Sequence, residues 1–269
     1  MTTSGPVLLT DLSNNVLRLT LNRPKVNAIN FELIEALKEA IKNAEREDQV
    51  RCVLITGSGS AFSAGQDIGE FRQAENLSFR EHLLRTYNPL ILQIRRLEKP
   101  VIAVVNGAVS GAALGLALSC DLRFAADTAR FVVGFLGIGL APDSAVSLLL
   151  PALIGLGRAA EFAFTNAPIT AEQALAWGLV NRVAPAADLQ SLSTAFAEEL
   201  ARGPVRAMGL TKRAFNKAVL GNLEAVLDYE AHIQEIAGQG SEHKEGVSAF
   251  LEKRPPGYMT LNPTPGVSG

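Results

Sequence analysis

Cysteine, histidine and tryptophan are scarce in this chain, at two, three and one residues among 269. Cys52 and Cys120 stand alone, too few for a disulfide scaffold or a structural zinc site, and they fit a reducing, cytoplasmic setting. His82, His232 and His243 show no metal-ligand spacing, so no metal centre is expected; on charge-rich helices they read as solvated surface residues. The lone Trp177, beside Ala174 and Leu175, reads as packing. An excess of either charge is also missing. Lys plus Arg number 25 against 27 Asp plus Glu, a net charge of −2, which leaves no global basic field for nucleic acid or an anionic membrane. The segment Met1-Thr-Thr-Ser-Gly-Pro6 lacks a basic stretch followed by an apolar run, so no secretory signal is read there.

What is plentiful is apolar: 48% of residues are hydrophobic and 19% charged, enough for a large core in one α/β unit. Val101 to Cys120 carries no charge over twenty residues, about the length of a membrane span. Pro100, Asn106-Gly107, Ser110 and Ser119 break the run, however, and Asp121 and Arg123 follow at once. A buried strand followed by a small-residue core helix accounts for it better than a membrane segment.

Alternation predicts a strand at Val16–Leu21, and short apolar stretches predict buried strands at Cys52–Thr56 and Val101–Val105, with further strands around Leu122–Ala125 and, last and short, at Leu179–Val183. Helical periodicity alternates with them. Asn30 is placed to cap a helix with Leu33, Ile34, Leu37, Ala40, Ile41 and Ala44 on its apolar face. A charged helix is expected from Ser78 to Leu97, broken near Pro89, and another directly after Asn106. Pro151 interrupts an apolar run, Arg158 to Thr165 reads as helix, and Thr170-Ala-Glu-Gln173 is a capping-box start. Helices follow over Gln190–Arg202, Val205–Val219, Leu223–Ala237 and Lys244–Lys253. Alternation of strand and helix predicts a mainly parallel α/β core over residues 1–190 and a helical C-terminal region over 191–258. The proline- and glycine-rich tail from Pro255, and above all 259–269, is expected to be mobile.

Familiar chemical motifs fail. Gly57-Ser-Gly59 is followed by Phe62 where a dinucleotide fingerprint needs glycine, no phosphate-binding Gly-Lys-Ser/Thr follows, and Ser110 lies in no G-x-S-x-G elbow. Two loops remain: Ser63-Ala64-Gly65-Gln66-Asp67-Ile68, after a strand, and Asn106-Gly107 through Gly111-Ala112-Ala113, where a strand turns into a small-residue helix. Strand ends and helix N-termini present unpaired N–H groups that can hold an oxyanion, and small side chains let a ligand approach. Tight turns and helix packing explain the same glycines.

The residues then bring a resemblance. Leu21-Asn-Arg-Pro-Lys-Val-Asn-Ala-Ile-Asn30, Ala61-Phe-Ser-Ala-Gly-Gln-Asp-Ile68, Val105-Asn-Gly107 through Cys120-Asp121, Ala171-Glu-Gln-Ala174 to Asn181 and Glu245-Gly-Val-Ser-Ala-Phe-Leu-Glu-Lys-Arg254 resemble the successive motifs of the crotonase (enoyl-CoA hydratase/isomerase) superfamily. The resemblance covers roughly Leu17 to Tyr258. It implies an acyl-CoA enzyme of repeated ββα units with a helical C-terminal region that forms a trimer or a dimer of trimers. No prosthetic group is implied; coenzyme A comes as part of the substrate. Carried over by position, the Gln66 and Ala112 backbone N–H groups would hold the thioester oxygen. Arg23, Lys25, Val26, Ala28, Ala64, Asp67 and Ile68 would contact the CoA, and Phe250 and Lys253 would reach the CoA of a neighbouring subunit.

Departures from the pattern set the expected chemistry. Hydratases of the superfamily use two glutamates, and the corresponding positions here are Gly115 and Phe135, neither of which can transfer a proton. The nearest carboxylate is Asp143, in Gly139-Leu-Ala-Pro-Asp143-Ser-Ala. An aspartate there resembles the isomerases of ring-epoxidised phenylacetyl-CoA, and a dehalogenase of aromatic acyl-CoA thioesters also places one nearby. Pro-Asp-Ser is good capping sequence too, so a helix N-cap is the alternative role of Asp143. The expectation is an acyl-CoA isomerase with Asp143 as its acid/base, and Phe135 and Leu136 suggest an apolar acyl pocket. An enoyl-CoA hydratase and a non-catalytic acyl-CoA-binding protein are the alternatives.

Overall fold

The computed structural model describes residues 5–69 and 78–261. It opens with a hairpin that periodicity did not disclose. β1 (Leu8–Ser13) pairs antiparallel with β2 (Val16–Leu21) across Asn14-Asn15, both at positive φ (50° and 64°). That is the backbone a two-residue turn between right-twisted strands requires, and asparagine tolerates it. β1 lies exposed at a sheet edge along most of its length, which is why it carries little apolar signal.

The next strands go inward. β3 (Cys52–Gly57), β5 (Val101–Val105) and β7 (Leu122–Ala126) are largely buried, and with the edge strand β10 (Arg182–Ala184) they extend the sheet in the order β1-β2-β3-β5-β7-β10. Within this sheet every pairing beyond the hairpin is parallel. Strands covered on both faces read as continuous apolar runs. A second sheet, in the order β4-β6-β8-β9, is built from β4 (Ala61–Ser63), β6 (Ala108–Ser110), β8 (Arg130–Val132) and β9 (Ile169–Thr170). β3, β5 and β7 each feed the large sheet, and the strand after each feeds the small one. This is a ββ repeat visible in topology although no repeat is defensible in sequence.

Helices close the turns of this spiral. α1 (Phe31–Arg46) starts where the Asn30 side chain accepts from Leu33 N at 3.0 Å, and it buries Leu33, Ile34, Leu37, Ile41 and Ala44 as its periodicity foretold. The charged helix expected over 78–97 is two helices, α2 (Phe79–Arg85) and α3 (Tyr87–Arg96). They break at Thr86, not at Pro89. Pro89 sits in the first turn of α3, where a missing N–H costs nothing. The helix expected directly after Asn106 begins only at Ala112, because β6 intervenes; α4 (Ala112–Ser119) is buried at every residue. The uncharged run is therefore two strands and a short helix, and no helix among the described residues is long and apolar enough to cross a membrane.

α5 (Val146–Ile154) carries Pro151 inside it instead of ending there, and α6 (Leu156–Thr165) and α7 (Ala171–Trp177) follow. The last strand, expected at 179–183, is confined to β10; Leu179 and Val180 are core residues of the preceding turn. The C-terminal helices are α8 (Leu189–Arg202), α9 (Val205–Val219), α10 (Leu223–Gln239) and α11 (Ser241–Glu252). Of the tail expected to be mobile, residues 255–261 are described, and two of them bond back to the body of the protein. Tyr258 OH donates to Gly137 O at 3.1 Å, and Gly257 N donates to Glu245 Oε1 at 2.7 Å. Residues 262–269 lie outside the described residues.

Candidate active site

The two loops singled out in the sequence meet. Asn27 and Asn106, from the quoted motifs, act as pins. Asn27 Nδ2 donates to the carbonyls of Ser58 and Ala61 at 2.9 Å, and Asn106 Oδ1 accepts from Gly57 N at 3.1 Å. A Cβ on Gly107 would lie 1.9 Å from Ser60 O, so the second loop lies directly on the first. Gly65, at φ +88°, abuts the start of α4: a Cβ there would come within 2.8 Å of Ser110 O and 3.5 Å of Ala112 N. Only glycine fits such a position.

This contact aims two backbone N–H groups. Ile29 forms a parallel bridge to Gln66, exchanging bonds with its neighbours: Ile29 N donates to Gly65 O at 2.7 Å and Asp67 N to Ile29 O at 2.8 Å. The N–H of Gln66 itself is thereby turned away from Ile29. Ala112 N heads α4, where helices leave their N–H groups unpaired. Among the described residues neither group has a protein acceptor, and both residues line one cavity of about 510 Å³. The Gln66 side chain anchors the loop: Tyr87 OH donates to its Oε1 at 2.7 Å, and His82 Nε2 lies 3.1 Å from the same oxygen.

Asp143 lines the same cavity. Its carboxylate is buried and held by two donors, Ser144 Oγ to Oδ1 and Gln234 Nε2 to Oδ2, each at 2.7 Å. Burial pushes its pKa up to about 6, against the lowering effect of those two bonds. The side chain does not cap α5. Glu230, on α10, does so instead: its Oε2 accepts from Ala145 N at 2.7 Å and its Oε1 from Ser147 N at 3.0 Å, with a further bond from Ser147 Oγ. Burial pushes Glu230 up to about 7, despite these donors and with a smaller push from the Asp143 charge. Ser144 and Ala145 both sit at positive φ (56° and 64°), a backbone that non-glycine residues adopt only when their surroundings enforce it. One enforcing neighbour is Gly115: a Cβ there would lie 2.5 Å from Ser144 O and 2.6 Å from Ser144 Cβ.

Not every expected residue reaches the cavity. Ala64, Gln66, Ile68, Ala112, Phe135, Asp143 and Phe250 line it; Arg23, Lys25, Val26, Ala28, Asp67 and Lys253 are not among its lining residues. Arg23 instead pairs with Asp67 at 3.0 Å and donates to the Ala28 carbonyl, and Val26 O accepts from Ala64 N at 2.9 Å. Lys253 caps α11 in the left-handed conformation and is exposed. The histidine expectation needs correction for two of three. His82 is buried and lines the cavity, its pKa lowered to about 4 by burial; His243, also lowered by burial, lines it with Nδ1 2.8 Å from Ile138 O. His232 is exposed, as expected. Both cysteines are free and buried, with burial pushing each thiol up to about 12. Among the described residues no group of His, Cys, Asp and Glu is arranged to hold a metal.

The chain is similar to known proteins in both sequence and fold. The sequence profile of the enoyl-CoA hydratase/isomerase family matches residues 11–260. The chain belongs to that family. It is 39% identical over 257 residues to the 1,2-epoxyphenylacetyl-CoA isomerase of Escherichia coli, covering 93% of this chain and 97% of the relative. It is 40% identical over 249 residues to a probable enoyl-CoA hydratase of Rhodobacter capsulatus, covering 92% and 96%. A crystal structure of an enoyl-CoA hydratase from Mycobacterium avium subsp. paratuberculosis superimposes with a TM-score of 0.86 at 33% identity, over 96% of this chain and 99% of that one. The spiral of two sheets with its helical C-terminal region is the crotonase fold of this family. No side chain fits at 115, and Phe135 is buried against the cavity.

Proposed function

We propose that this member of the family is an acyl-CoA isomerase in which Asp143 alone moves the proton. The thioester oxygen binds between the N–H groups of Gln66 and Ala112, which stabilise negative charge as the enolate forms; one such donor is worth about 2.7–4 kcal/mol in the transition state. Asp143 takes a proton from one carbon and returns it to another, leaving the atoms of the acyl group unchanged in number. The observation that carries this reading is the composition of the cavity wall. Among the described residues, Asp143 is its only carboxyl group, and it is held near neutrality where a group must both accept and return a proton. No prosthetic group is required.

Phe79, Tyr87, Phe135, Leu140 and Val247 make the wall largely apolar and aromatic, which favours an acyl group of ring size. The E. coli relative is named for a ring-epoxide thioester, and such a thioester is the first substrate to test. The CoA moiety is assigned to Arg23, Lys25, Val26, Ala28, Ala64, Asp67 and Ile68, with Phe250 and Lys253 serving a neighbouring subunit. Hydration is the second reading, favoured by the 40% identity to the probable hydratase and opposed by Gly115 and Phe135. Turnover of a panel of 2-enoyl, 3-enoyl and ring-epoxide thioesters in heavy-oxygen water separates them. Products of unchanged mass support isomerisation; label entering the product establishes hydration. Binding of the whole panel without turnover leaves a non-catalytic acyl-CoA-binding protein.

A further inference from the structure

Gln234 is fully buried on α10, one helical turn beyond Glu230. Its Nε2 donates to Asp143 Oδ2 at 2.7 Å, it lines the cavity, and its Oε1 is buried with no hydrogen-bond donor among the described residues. A buried amide left half-satisfied is costly and calls for a reason. Turning the amide over would set Oε1 against the carboxylate oxygen, acceptor against acceptor, so the orphaned end is the cost of aiming Nε2 at Asp143. A residue kept for packing alone would be apolar or paired at both ends.

We propose that Gln234 is the positioning residue of Asp143: it donates to Oδ2 in both protonation states and so leaves Oδ1, beside Ser144, as the oxygen that takes and returns the proton. An amide N–H can only donate, so Oδ2 stays an acceptor whether Asp143 is ionised or protonated. The Ser144 hydroxyl can rotate, donating to an ionised Oδ1 and turning away when that oxygen carries hydrogen. A cationic partner would pin Asp143 in the ionised state; a neutral amide permits both. The inference rests on the acid/base role of Asp143. The other titratable groups around this pair are Glu230, on the same helix as Gln234, and His82, His243 and Lys244, which line the same cavity as Asp143.

The test follows exchange of the α-protons of phenylacetyl-CoA in deuterium oxide by mass spectrometry, over about pH 5 to 9, with the full-length protein. In Gln234→Met the maximal rate should fall about 10–100-fold with little change in half-saturation. The acidic limb of the profile should also move up by about one pH unit, because the lost donor favoured the ionised form. Gln234→Glu, which sets a second carboxyl beside Asp143, should move the limb further up. Glu230→Gln separates the titration of Glu230 from that of Asp143. A folded Gln234→Met with wild-type rate and limb overturns the inference, as does one that changes half-saturation alone. If Gln234→Met does not fold, a Gln234→Glu limb in the wild-type position does so. Wild-type exchange that persists in Asp143→Asn, or no exchange by the wild type, overturns the parent reading instead.

Discussion

Asp143 is a carboxyl group kept in a place that disfavours its charge. Its pKa stands at about 6 against an ordinary 3.8, with burial as the main cause. Two consequences follow at this one residue. Asp143→Asn keeps size and can still receive the Gln234 donor, but it removes the base; turnover should fall about 10²–10⁴-fold while acyl-CoA still binds. Full activity in that variant would end the acid/base assignment. The second consequence concerns stability. A carboxyl whose folded pKa is raised contributes stability below its unfolded pKa and loses it as pH rises through the folded value. At pH 8 the wild type therefore holds an unfavourable buried charge, a cost on the order of 3 kcal/mol for a two-unit displacement. Asp143→Asn should raise the melting temperature at pH 8 and do so much less near pH 4. Calorimetry at the two pH values decides it, and an equal effect at both would contradict the burial argument.

Between elements, the site is made by helices clamping a strained corner. α10 delivers Glu230 to the start of α5 and Gln234 to Asp143, while α4 presses Gly115 against Ser144. A methyl group at 115 has no room, since its nearest neighbours are backbone and Cβ atoms that cannot move aside cheaply. Gly115→Ala should destabilise the fold by about 1–3 kcal/mol and lower turnover by displacing the Asp143 corner. A denaturant titration with wild-type stability would show that the corner yields more easily than this geometry allows. Gly115→Glu should not create a hydratase. Glu230→Gln loses one acceptor for the N–H groups of Ala145 and Ser147, and should cost about 1–3 kcal/mol.

At the scale of the whole molecule, the C-terminal helices leave apolar side chains uncovered. Phe215 and Val219 on α9, Tyr229 on α10 and Phe250 on α11 are each more than half exposed. We propose that these side chains meet neighbouring copies of the chain in a trimer or dimer of trimers, since an apolar surface gains by being covered. Light scattering that finds only a 28.6 kDa species at micromolar concentration would contradict it. Ligand binding is the other whole-molecule test. Acyl-CoA at about 100 times its dissociation constant should stabilise the folded state by about 2.7 kcal/mol, visible as a rise in melting temperature. No rise with any of several thioesters would remove the CoA site.

Sequence alone determined the alternation of strand and helix, the capped helix after Asn30, the uncharged core run and both N–H-bearing loops, because each is a local pattern of burial or turn chemistry. The ordered motifs determined the family, and the absence of glutamate at 115 and 135 pointed to Asp143. Other features were decided only by the tertiary structure. The edge strand β1 is mostly solvent-facing, so it has no period-2 signal. β6 is three residues long and takes its identity from pairing with β4 and β8. Asp143 reads as a cap from its neighbours, but the cap comes from Glu230, 83 to 85 residues along the chain from the N–H groups of Ser147 and Ala145 that it accepts from. His82 and His243 look solvated on their own helices, but in the fold His82 is buried and His243 half-buried, and both line the cavity. Glu230 and Gln234 did leave one legible trace. They interrupt the apolar stripe of Leu223, Leu227 and Ala231 on the buried face of α10, where a polar side chain needs a partner that only the folded chain can supply.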